Sequence, residues 1–104
     1  MSKVEEMLRQ IQKEKDSYYQ YARRMSGDEY EHQRRSWFEA ARYRILQIVR
    51  EIPAAMMHEH SQIKEDYRRG IRPIGDVVEY EKKYPVNDRL KLDQFLSDLA
   101  NLNL

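Results

Sequence analysis

His58-Glu59-His60 is the densest run of side chains able to ligate a metal in this chain. On a helix, residues two apart point roughly 160° from each other, whereas a helical two-ligand site uses i and i+4 so that both rings share one face. The spacing therefore predicts His60 as a partly buried residue on an apolar face and His58 as a solvated neighbour. His32 is too isolated in sequence to form a site alone. The only glycines are Gly27, Gly70 and Gly75, from which neither a P-loop nor a dinucleotide fingerprint can be built. With no cysteine there is no thiolate metal site, disulfide framework or cysteine nucleophile, as is usual in a reducing compartment, and a cytoplasmic location is the expectation. Carboxylates are abundant, but Glu5 with Arg9, Glu31 with Arg35, Glu65 with Arg69 and Glu79 with Lys83 all fall at i,i+4, the spacing of helix-surface pairs. No catalytic, cofactor-binding or metal-ligating residue is expected, and the chain is read as a non-enzyme.

Arginine and aromatic side chains offer a different chemistry. From Tyr18 to Arg50, Tyr18, Tyr19, Tyr21, Tyr30, Trp37, Phe38 and Tyr43 interleave with seven Arg against four acids. Phosphate contacts and base stacking need this combination, which makes Tyr18, Tyr19, Arg23, Arg24, Arg35 and Arg42 a candidate nucleic-acid surface. The same residue types are enriched at protein interfaces. On a helical wheel Arg35, Arg42, Tyr43, Leu46 and Arg50 share roughly 100° of arc outside the apolar stripe, with Glu39 among them. That basic face, with Leu46 ringed by Arg and Tyr, is the candidate site for a protein partner. The near-balanced net charge of +1 weighs against nucleic acid as the main partner.

These side chains need helices to position them. Val4, Met7, Leu8, Ile11, Tyr18, Tyr21, Ala22 and Met25 recur at three- and four-residue steps, Ser2 with Glu5 makes a capping box, and Ser26-Gly27 supplies a stop. Asp28 with Glu31 makes a second capping box ahead of a wide stripe, Tyr30, Trp37, Phe38, Ala41, Ile45, Ile48, Val49 and Ile52, broad enough for two neighbouring helices. Arg34 falls inside that stripe, where a guanidinium must snorkel, pair with a carboxylate or reach a ligand. Pro53 either kinks that helix or opens the next one at its first position, and Met56, His60, Ile63 and Tyr67 carry a narrower stripe, taken as a third helix capped at Gly70. The segment 71–75 reads as a linker. Asp76 and Glu79 open a short helix through Tyr84, Pro85 ends it, and Leu92, Phe95, Leu96, Leu99 and Leu102 line one face of a last helix that docks back into the core.

The expected fold is all-α: a compact helical bundle of two long antiparallel helices, a third helix after Pro53 and two short C-terminal helices. All 104 residues are read as one domain, with a three-helix core over 1–70 and a linker plus short helices over 71–104. No stretch approaches the ~20 apolar residues of a membrane span, and the acidic start lacks the apolar core of a signal peptide. Homo-oligomerisation has its own candidate seam in the imperfect heptad Val4, Ile11, Tyr18 and Met25.

The stretch Arg42-Tyr-Arg-Ile-Leu-Gln-Ile-Val-Arg-Glu-Ile-Pro53 resembles the opening helix of the LYR-motif mitochondrial accessory proteins, small helical subunits and assembly factors. Arg42 stands where that family has Leu, and 41 residues precede the segment. No functional residue carries over. The function expected from the residues themselves is a non-enzymatic interaction module, an adaptor, accessory subunit or inhibitor, with a nucleic-acid-binding helical protein as the alternative.

Overall fold

A computed structural model describes residues 2–104. Among them the regular elements are α1 (Lys3–Arg24), α2 (Glu31–Arg68), α3 (Ile74–Lys83) and α4 (Arg89–Ala100), with one 3₁₀ turn, Asp28–Tyr30, and no strand. Ser2 caps α1 by accepting the Glu5 N–H at 3.0 Å, as the capping box predicts. The second box does not form. The 3₁₀ turn ends with the Glu31 N–H bonded to the Asp28 carbonyl, and this backbone bond occupies the start of α2 without a side-chain cap.

The largest departure from expectation is at Pro53. α2 runs through it for 38 residues, so there is no separate third helix after the proline. An interior proline costs a helix about 3 kcal/mol through a lost hydrogen bond and a ring clash. Here Val49, Ile52 and Met56, at most 8% exposed, hold both sides of the proline against the rest of the core. Tertiary packing offsets the local cost. α2 ends as predicted at Gly70, whose φ of +74° suits only glycine: its N–H bonds the Tyr67 carbonyl, and the Ile71 N–H reaches back to Asp66 at 2.8 Å.

A helix of 38 residues is about 57 Å long, and it sets the long axis of a molecule measuring 61 × 26 × 18 Å. The radius of gyration, 17.5 Å, exceeds the ~13 Å of a compact chain this size, so the molecule is a rod and not the compact shape expected. α1 lies antiparallel on one side of α2: Val4 meets Glu59, Glu14 meets Arg44, and Tyr18 meets Phe38. α3 and α4 pack along another side, joined through Tyr84 and Phe95, so that the two short helices form one broken rod interrupted at Pro85. The wide stripe of α2 does contact two neighbours. Leu92, Phe95, Leu96 and Leu99 dock on the core as expected, whereas Leu102 reaches it from the extended segment after α4.

Arg34 meets its predicted conflict with backbone carbonyls. Its Nη1 donates to the carbonyls of Met25 and, at 2.7 Å, of Gly27, holding the turn between α1 and α2. Charge-assisted hydrogen bonds are each worth about 1.5–3 kcal/mol. Arg34→Met is therefore expected to lower the unfolding free energy by about 2 kcal/mol, read from the urea midpoint; an unchanged midpoint would show that the turn holds itself.

Candidate functional site

α2 is covered along roughly half its circumference and bare on the rest. Ser36, Ala40, Tyr43, Gln47, Arg50, Ala54, Met57 and Ser61 recur every three or four residues opposite the buried stripe, and all are exposed. Tyr43 and Met57 are each 66% exposed, well above the usual burial of large apolar side chains. Of the residues expected to meet a protein partner, Arg35, Arg42, Tyr43 and Arg50 are exposed and Leu46 is half-buried. Leu46 is thus less available than expected. Arg35 holds Glu31 at 3.6 Å, and Arg42 lines a shallow depression with Asp98, Asn101 and Leu102 at the end of α4. Among the described residues, neither Arg42, Arg50, Glu39 nor Glu51 has an intramolecular ion-pair partner.

The candidate nucleic-acid set does not survive as one surface. Tyr18 is 3% exposed, packed on Tyr19 and Phe38, and cannot stack on a base without leaving the core. Burial also pushes its hydroxyl above the ordinary tyrosine range, partly opposed by Arg34. The Tyr19 hydroxyl accepts the Asn103 N–H at 3.2 Å, which leaves the ring half-buried under the C-terminal segment. Arg23, Arg24, Arg35 and Arg42 are exposed, but the two tyrosines of the set are buried and half-buried. The self-association seam through Val4, Ile11 and Tyr18 is likewise spent, because all three are buried against α2 within one chain.

His60 is 7% exposed and His58 is exposed, as their spacing predicts. His60 Nε2 lies 3.0 Å from Glu81 of α3. Beside it, Glu59 has a role that its sequence neighbours do not reveal. One carboxylate oxygen accepts the Val4 N–H at 3.1 Å and the other the Tyr80 hydroxyl at 2.9 Å, tying α1, α2 and α3 together. Burial first, and this bond to Glu59 second, push the Tyr80 hydroxyl far above the tyrosine range. Two of the expected surface pairs also rearrange: Glu5 and Lys83 leave their helical neighbours and meet each other at 3.5 Å across α1 and α3. Among the described residues no set of three His, Asp or Glu is placed to hold a metal. Asp16, which lines an open groove of about 690 Å³ on α1, accepts a hydrogen bond from Gln12. No helix among the described residues is long and apolar enough to cross a membrane.

The structure adds an apolar patch that sequence reasoning missed. α2 outruns the start of α1, and at this uncovered end Tyr67, Ile71, Ile74 and Val78 are 43–68% exposed. Two isoleucines within a five-residue linker were the available signal. No protein-family model, curated protein or solved structure matches the chain. What defines its class is therefore the architecture itself: an elongated all-helical rod whose longest helix leaves one face open.

Proposed function

We propose that the protein is a non-enzymatic interaction module that engages a protein partner through the open face of α2. The observation carrying this reading is Tyr43: a large aromatic ring, 66% exposed, on the uncovered side of α2 and next in sequence to Arg42 and along the helix to Arg50, which have no ion-pair partner among the described residues. Tyr and Arg are the residue types that dominate interface energetics. Tyr supplies contact area at a small entropic cost, and a guanidinium donates two parallel bonds to a carboxylate. A partner face with carboxylates around an apolar notch is the complement. An adaptor, an accessory subunit and an inhibitor would all work in this way.

Arg42→Glu combined with Arg50→Glu is expected to abolish partner capture, a loss of at least 100-fold, given about 1.4 kcal/mol per tenfold and two reversed contacts. Both side chains are exposed, so the melting temperature should move by no more than about 2 °C. The direct test places the photo-cross-linking residue p-benzoylphenylalanine at position 43 of the full chain and looks for an adduct in its native cell extract. Loss of fold in the charge-reversal variant, or capture that survives it, would overturn the reading.

A further inference from the structure

We propose that the cleft between α1 and α2 at Tyr21 and Trp37 is a binding site for a small aryl carboxylate. The site goes beyond partner capture, for it lies where the two helices meet and does not depend on Tyr43. Two side-chain pairs bridge the antiparallel helices here. Tyr21 meets Trp37 with ring centroids 5.3 Å apart and planes inclined at 46°. Two turns earlier on α1, the Glu14 carboxylate accepts from Arg44 Nε at 2.8 Å. Between the bridges the cleft is lined by small side chains, Ser17 on α1 with Ala40 and Ala41 on α2, and Tyr18 adds a buried inner wall. Because these residues do not reach across, a slot of about 290 Å³ stays open. Trp37 and Arg44 are seven positions apart, so the two bridges stand about 10 Å from each other along α2.

The two ends differ in chemistry. Trp37 is half-buried and Tyr21 is 49% exposed, so both rings keep apolar surface that a third ring can cover. At the other end Arg44 is the one charged side chain lining the slot. Its pairing with Glu14 does not exhaust it. The carboxylate takes Nε and fixes the guanidinium across the cleft, while the two Nη groups donate no hydrogen bond among the described residues. A ligand carboxylate can accept from them in a charge-assisted bond. A cationic ligand has no counterpart, because no carboxylate lines the slot and Arg44 repels it. A single ring on a short alkyl chain ending in a carboxylate fits the spacing, with the ring at Trp37 and the charge at Arg44. Apolar walls with one placed polar group are the usual composition of a small-molecule site.

Hydrocinnamate, a phenyl ring on a propionate chain, is the probe, and Trp37, the only tryptophan, is the reporter. Titrated into the full chain, it should change the Trp37 emission saturably with a dissociation constant of about 0.1–1 mM, the range open to a ligand of so few atoms. Hydrocinnamamide, which keeps the ring and loses the charge, should bind at least tenfold more weakly, and phenethylammonium should not saturate. Arg44→Gln should bring hydrocinnamate down to the affinity of its amide and leave the amide unchanged, a split that damage to the fold would not give. Ser17→Leu with Ala40→Leu, both at exposed positions, should fill the slot and abolish binding of either probe. Circular dichroism on each variant confirms that the helices persist. Absence of a saturable emission change, together with an unmoved Trp37 indole N–H resonance, overturns the site. An amide that binds as tightly as the acid overturns the carboxylate class, and binding that survives both leucines places the ligand elsewhere and overturns the proposal. Each of these outcomes is separate from the cross-link at position 43, which tests the partner reading alone.

Discussion

Glu59→Ala is expected to lower the unfolding free energy by about 2–5 kcal/mol, because it strips the acceptor from two donors that burial leaves with little access to water. Val4, whose N–H it accepts, is fully buried, and Tyr80 is 8% exposed. The Tyr80 hydroxyl would keep only its longer bond to the Met56 carbonyl at 3.3 Å. The first turn of α1 would lose more than one bond. Its Glu5 N–H is held by Ser2, but the Val4 N–H has no other acceptor among the described residues, and a carboxylate beside a helix N-terminus also stabilises the helix dipole. Glu59→Gln, which keeps an acceptor oxygen without the charge, should recover part of the loss. The urea midpoint at constant slope measures both, and amide exchange should show Val4 and its neighbours opening first. A midpoint unmoved by Glu59→Ala would mean that the three helices are held by apolar packing alone.

That junction marks where sequence reading stops. Ser2 as the α1 cap, the wide stripe on α2, the Gly70 stop and His60 as a core residue all follow from local chemistry: a short polar side chain before a helix, a period of 3.6, a positive φ, an i,i+2 spacing that splits two rings. What failed was decided by neighbours remote in sequence. Pro53 reads as a breaker on local grounds, and only the packing around Val49, Ile52 and Met56 carries the helix through it. Asp28 reads as a cap, yet the backbone of a 3₁₀ turn takes its place. Tyr18 reads equally as core or as a stacking platform, since its place on the wheel is shared by both; contact with Phe38 decides for the core. Glu59 was hidden by the two histidines beside it, for nothing in the sequence shows that α1 begins where α3 returns. Of the open face of α2, Tyr43 and Arg50 were legible in its composition, whereas Ala54, Met57 and Ser61, beyond Pro53, were not. That no other part of the chain covers Tyr43 and Met57 follows from how α1 and α3 place themselves, which periodicity cannot convey.

The second large effect belongs to high pH. Tyr18, Tyr80 and Tyr84 are 3%, 8% and 3% exposed, and burial raises each hydroxyl above its ordinary 10.0. The bond to Glu59 adds to this at Tyr80, while Arg34 opposes it at Tyr18 and Lys83 at Tyr84. Neither the Tyr18 nor the Tyr84 hydroxyl has a hydrogen-bond partner among the described residues, and Arg34 and Lys83 offset their burial only in part. In the unfolded chain all three ionise near pH 10, while in the folded state they keep their protons to higher pH. The folded state therefore binds more protons across that window, and the stability they contribute is full below pH 10 and lost as pH rises. Each contributes a slope of up to about 1.4 kcal/mol per pH unit, together about 4 kcal/mol per unit. The fold therefore weakens progressively above pH 10, each tyrosine contributing until its folded-state hydroxyl also ionises. In an alkaline titration followed at 295 nm and by far-ultraviolet circular dichroism, these three tyrosines should ionise only as the helices melt. Tyr80→Phe should lower the slope of stability against pH by about 1.4 kcal/mol per unit, whatever it does to stability at neutral pH. Ionisation of all eight tyrosines with the helices intact would show instead that the core admits phenolates, and that burial at Tyr18, Tyr80 and Tyr84 is looser than their packing implies.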